Sequence, residues 1–171
     1  GTLTVGVAGF VQVSGDYDFV QQSFSGNYSG DVSGTVTGAN VLTVGGTSGT
    51  GLIGVNAFDN PLGLQGTLSG FGLGVVTDGT HAWHLFQGTI VDPSFVGFGS
   101  DLGAGVANLT VTVNNGSSGT YLNTHPTPIS VATGGTAVPL DFTTGVVAAS
   151  TTFSLTISDF VHLSGIFTFG L

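Results

Sequence analysis

The residues best equipped for chemistry gather near the middle of the chain, where Asp78, His81, Trp83 and His84 bring together a carboxylate, two imidazoles and the only indole. An exposed Trp83 would stack on a sugar face, with His81, His84 and Asp78 supplying polar contacts around it. A metal site is harder to build from the same residues. In a strand, positions three apart point to opposite faces, so His81 and His84 do not clamp one ion, and no Cys or Glu completes a set. Asp16 and Asp18 stand two apart and share a strand face, which makes them a weak Ca²⁺ candidate with no calcium-loop pattern around it. His125 and His162 are isolated.

Gly49-Thr50-Gly51-Leu52-Ile53-Gly54 has the spacing of a dinucleotide fingerprint. That motif works only where a helix N-terminus follows and faces the phosphates. Here a strand-like run and Pro61 follow instead. There is no G-x-S-x-G elbow, and no Ser, His and Asp are placed to suggest a triad. Without Lys, Arg, Glu or Cys, most acid–base and nucleophilic machinery is missing. The expectation is a protein that is not an enzyme and uses no cofactor.

The elements that carry these residues read as strands. Leu3, Val5, Val7, Val11 and Val13 share one face, continued by Tyr17 and Phe19, while Thr4, Gln12, Ser14, Asp16 and Asp18 share the other. Residues 23 to 40 keep the same beat, with Phe24, Gly26, Tyr28, Gly30, Val32, Gly34 and Val36 on one side. Shorter strands follow at 41–44, 52–58, 64–76, 81–86, 94–98, 109–113, 129–131, 137–142 and 146–149. Asp59-Asn60-Pro61, Asp78-Gly79 and Asn114-Asn115-Gly116 supply turn signals between them. Residues 123–128, NTHPTP, read as extended edge chain. No segment reads as a helix. The expected fold is all-β: an elongated antiparallel β-sandwich or roll with long amphipathic strands, with a β-solenoid as the alternative.

One stretch occurs twice. LTVGVAGFVQVSGDYDF at 3–19 and FSLTISDFVHLSGIFTF at 153–169 agree at Phe10/Phe160, Val11/Val161, Ser14/Ser164, Gly15/Gly165 and Phe19/Phe169. Val5/Leu155, Val7/Ile157, Val13/Leu163 and Tyr17/Phe167 are conservative matches, and every pair stands 150 positions apart without a gap. This self-similarity marks 1–171 as a single repeat unit of about 150 residues plus the opening strands of the next. Unbroken, each copy would span about 56 Å at ~3.3 Å per residue. A bend near Ala8-Gly9, and near Ser158-Asp159 in the second copy, would fold it into a hairpin instead.

Composition limits the partners. All formal charge comes from nine Asp, giving −9 with no cation to meet phosphate or anionic lipid, so nucleic acid and charged membrane surfaces are disfavoured. No apolar run reaches the length of a membrane helix, which argues against membrane insertion. A mean hydropathy of +0.48 with only 5 % charged residues would leave apolar patches of the kind that mark association. The chain is therefore expected to be covered by copies of itself or by neighbouring repeats. It begins with Gly rather than Met, as a processed product or an excerpt would.

The order of several blocks is similar to that in very large tandem-repeat bacterial surface proteins: VNAF (55–58), SFVGF (94–98), LTVTVN (109–114), PLDF (139–142) and FVHLSGIFTF (160–169). The resemblance implies an extracellular or cell-surface location and an adhesin-like or fibre-forming role, with no catalytic residues to carry over. The leading expectation is a structural repeat whose end strands pair edge to edge with successive units. The rival is a monomeric adhesin-type module that binds a glycan at Trp83.

Overall fold

The computed structural model describes residues 3–7, 11–55, 60–99, 102–157 and 161–170. In chain order its strands begin with β1 (Leu3–Val7), β2 (Val11–Gly15), β3 (Asp18–Gly30), β4 (Gly34–Gly46), β5 (Gly49–Val55), β6 (Leu62–Thr77) and β7 (Ala82–Val96). Then come β8 (Leu102–Val106), β9 (Leu109–Gly116), a 3-10 turn (Ser117–Gly119), β10 (Thr120–Asn123) and β11 (Ile129–Val131). β12 (Val138–Leu140), β13 (Val146–Ile157) and β14 (Val161–Gly170) complete the series. The fold is all-β, as composition and period predict.

Several of these strands are segments of one line. β4 and β5 share a single register against β6, from Asn40↔Thr77 through Gly46↔Phe71 and Gly49↔Leu68 to Val55↔Leu62. β2 and β3 run along their other side, with Gly15 opposite Gly49 and Asp18 opposite Gly45, leaving one extra residue on the β4–β5 line. β8 and β9 likewise form one line against β13, interrupted at Ala107, whose N–H donates to the carbonyl of Thr152 at 3.1 Å. Joined in this way, the main sheet is an antiparallel meander from β1 to β14 in which each line pairs with the next in sequence, apart from β10, which follows β9 in the chain and pairs with β3. Hairpin-built antiparallel lines of this kind are a sandwich arrangement and not the parallel coils of a solenoid.

Both faces of the sheet are buried over much of its width. Residues directly opposite on neighbouring strands share a face. On one face Val44, Leu73, Phe86, Val113 and Val147 form a row across five strands, with Phe71, Val111 and Ala149 in the next. On the other face Val41, Val76 and Trp83 form a row that packs with Phe24, Leu85, Leu122, Ile129, Val131 and Leu140. That second face is covered by the excursion 117–145, whose strands β11 and β12 pair, among the described residues, only with each other. Glycines make the close approach of this small sheet fit. A Cβ on Gly45 would run into the carbonyl oxygen of Ala132, one on Gly72 would meet Val131 at 3.0 Å, and one on Gly74 would meet Leu140 at 2.9 Å.

The sheet does not close into a barrel through its ladders, but side chains close the seam. β10 pairs with β3 (Thr120↔Gly30 to Asn123↔Asn27), and no ladder joins it to β9. Asn114 of β9 is fully buried; its Nδ2 donates to Leu122 O at 2.8 Å and Thr144 O at 2.9 Å, and its Oδ1 accepts from Leu122 N at 3.1 Å. Thr124 extends the seam, donating to Leu140 O at 2.8 Å and accepting from Phe142 N at 2.7 Å.

Some sequence expectations change. Asn114-Asn115-Gly116 is not a turn: β9 runs through it, and the chain reverses at Ser117–Gly119. The run 23–40 is not one strand, because residues 31–33 form the bend of the β3–β4 hairpin and Val32 is 49 % exposed there. A register shift at Phe24/Gly26 also breaks its even beat. The expected strand 52–58 is described only to Val55, and Phe58 and Asp59 lie outside the described residues.

Candidate functional site

The duplicated stretch folds twice into the same hairpin. At the first copy β1 pairs with β2 as Leu3↔Gly15, Thr4↔Ser14, Val5↔Val13, Gly6↔Gln12 and Val7↔Val11. At the second, the end of β13 pairs with β14 as Phe153↔Gly165, Ser154↔Ser164, Leu155↔Leu163, Thr156↔His162 and Ile157↔Val161. Adding 150 to either member of a first-copy pair gives the second-copy pair, so the repeat in sequence is also a repeat in register. The long unbroken strand gives way to the hairpin alternative. Phe10 and Phe160 lie outside the described residues. Phe167 and Phe169 fall in the extension of β14, opposite Thr151 and Ala149.

The two hairpins are held from opposite sides. In the first, the second strand is the inner one: β2 pairs with β5, from Val11↔Ile53 to Gly15↔Gly49. In the second, the first strand is inner: β13 pairs with β8, from Phe153↔Val106 to Ile157↔Leu102. Among the described residues, β1 pairs only with β2 and β14 only with β13. Beyond the first hairpin, Tyr17 packs edge-on against Phe71 with ring centroids 5.3 Å apart. Phe19 stays 56 % exposed and Val20 39 % exposed at the start of β3.

The central cluster is built differently from its expected form. Asp78-Gly79 does make the β6–β7 turn, with Gly79 at φ +91 where a side chain is disfavoured. Asp78 Oδ1 accepts from His81 N at 2.6 Å and Thr80 N at 2.8 Å, and Oδ2 accepts from His81 Nδ1 at 3.1 Å. The amides of His81 and Thr80, and then the His81 ring, hold the Asp78 carboxyl at about 2, below its ordinary 3.8. His81 stacks on Trp83 (5.5 Å between centroids) and lies tilted against Tyr28 (5.0 Å, 39° between ring planes). Trp83 itself is fully buried, and its Nε1 donates to Thr120 Oγ1 at 3.0 Å. The expected exposed indole is therefore absent, because cross-strand register aims Trp83 at the second core and places Gly116 beneath its ring. His84 points to the opposite face and is exposed, as the spacing requires.

Asp16 and Asp18 are both exposed, and among the described residues no three His, Cys, Asp or Glu side chains gather as a metal would need. An open cleft of about 430 Å³ lies between the small sheet and the β6–β7 ladder, lined by polar residues such as Ser69, Gln87 and Thr136 and equally by apolar ones such as Ala137, Val138 and Pro139. Asn114 is the polar residue that sequence reasoning misplaced. Local pattern holds no signal for it: the alternation Leu109, Val111, Val113 leads to Asn115, which is exposed, while buried Asn114 shares the face of Thr110 and Thr112.

Among the described residues the geometry thus offers two matched hairpins at the ends of a meander. The chain matches no protein-family model, no curated protein sequence and no solved structure.

Proposed function

We propose that this chain is a structural repeat of an extracellular fibre or surface layer, of the type built by large tandem-repeat bacterial surface proteins, whose successive units join through β-strand edges. The observation that carries this reading is the pair of hairpins with one register and, among the described residues, opposite unpaired sides. Unpaired N–H and C=O groups along a strand edge recruit another strand, and strand addition is a specific mode of assembly. A contact between two different edges is heterologous and propagates without closing. The partners in this reading are other copies or neighbouring repeats. Exposed Phe19, Leu42 and Ile166 add apolar surface suited to being covered. The glycan-binding alternative loses its anchor, since Trp83 has no exposed face to stack on a sugar.

Electron microscopy of the isolated chain in dilute buffer tests the proposal. Regular filaments with an axial repeat near one unit's length are expected. Dispersed single particles of 17.0 kDa would sink it.

A further inference from the structure

We infer that the two hairpins are one element seen twice: where units follow one another in a chain, hairpin 153–165 of one unit is hairpin 3–15 of the next. This rests on the structural-repeat reading but, within one chain, replaces its edge-to-edge joint with a shared hairpin, so that bare edges remain only at the two ends of a run of units. The meander would then run from unit to unit as a single sheet with no edge between them.

Complementary occupancy carries the argument. Residues 153–157 have β8 on their outer side, and the equivalent residues 3–7 have no partner there among the described residues. Residues 11–15 have β5 on their outer side, and the equivalent residues 161–165 have none there among the described residues. Each copy shows the neighbour that the other lacks. The meander leaves the first strand of its opening hairpin and the last strand of its closing hairpin bare, and the common register at an offset of 150 lets the two be superimposed pair for pair. Overlaid, they give one hairpin flanked by β8 of the preceding unit and β5 of the following one.

The shared ladder extends past the hairpin along backbone that has no described strand partner on that side. β14 goes on to pair with β13 as far as Gly170↔Ala148, and residue 170 is equivalent to Val20. A preceding β13 would therefore lie along β3 up to Val20, on the side away from β4. That side is next used by β10, which begins its pairing at Asn27. The two occupants fit end to end along the same strand. The shared arrangement also lays chain equivalent to Ala149 opposite Phe19, as it lies opposite Phe169, where Phe19 is now 56 % exposed.

The test is a two-unit chain in which residues 1–150 run directly into a second 1–171, compared with two full units joined by a long Gly/Ser linker. The natural chain has no cysteine, so one engineered pair reads the joint: Ala104→Cys in the first unit and Val5→Cys in the second. Leu155, the equivalent of Val5, is directly opposite Ala104, a separation that suits a disulfide. The directly joined chain should unfold in one transition and form the disulfide nearly completely, while the linked control leaves these thiols mostly free. Two transitions with free thiols, or a joined chain that fails to fold while the control folds, overturns the inference. Filaments from single chains alongside that negative result would leave the fibre reading standing. Failure of single chains to form filaments alongside a positive result would sink the edge-joined fibre and leave the shared hairpin as the joint of a tandem chain.

Discussion

Asn114 and Leu122 exchange a pair of hydrogen bonds as two strand residues would, except that one partner is a side-chain amide: Nδ2 reaches Leu122 O at 2.8 Å, and Leu122 N reaches Oδ1 at 3.1 Å. The carboxamide takes the part of a peptide group and joins β9 to β10 where no ladder connects them. Both residues are fully buried, so water cannot replace these bonds.

Asn114→Ala should therefore cost about 3–4 kcal/mol, because it strands the Leu122 amide and the carbonyls of Leu122 and Thr144. Asn114→Asp keeps the acceptor but turns a carboxylate toward two carbonyl oxygens, and should be at least as damaging at neutral pH. Urea unfolding measures both. A loss below about 1 kcal/mol for the alanine variant would mean that the seam is held by apolar packing alone.

Gly45→Ala should destabilise by about 3 kcal/mol, since the new methyl meets the backbone oxygen of Ala132 and would lift the small sheet. Gly6→Ala meets nothing within 4 Å and should change stability by no more than about 0.5 kcal/mol. Comparable losses at both sites would show that glycine acts here through chain entropy and not through close approach.

The β6–β7 turn should respond to acid. Asp78 is held at about 2 in the folded chain against an ordinary value of 3.8, so its contribution is present above that ordinary value and is lost as pH falls through about 2. Carbon-13 titration of the Asp78 carboxyl should give a midpoint near 2. A midpoint near 4 would show that the amides of Thr80 and His81 are not engaged in solution.

Trp83 is the only indole and supplies a clean probe. Its emission should be blue-shifted and weakly quenched by iodide, and monosaccharides should leave it unchanged, because the ring is fully buried. Trp83→Ala should cost about 3–5 kcal/mol. Strong iodide quenching of the native chain would restore the sugar-stacking reading.

Local pattern revealed much of this architecture. Period two in Leu109–Val113 and the Asp78-Gly79 turn each have a local cause, and both are where the pattern places them. The end-to-end repeat was visible in the side chains, and its register follows from it. What local pattern could not supply was the third dimension of a sheet covered on both sides. Trp83 and His84 are adjacent, yet one is buried and the other exposed according to what lies across each face. Asn114 reads as a turn former in isolation, and its role depends on β10 returning past it. The glycines at 45, 72 and 74 look like strand weakeners until the small sheet above them is known.

The meander has a mechanical side. Its first and last lines lie on opposite borders of the main path, so a pull between them acts across the strands and not along them. Hydrogen bonds loaded in that direction break one after another, as a zipper opens, whereas lengthwise shear would load them all together. Each freed residue would pay out ~3.3–3.6 Å of slack. A thread of such units would yield gradually, hairpin by hairpin, and behave as a shock absorber.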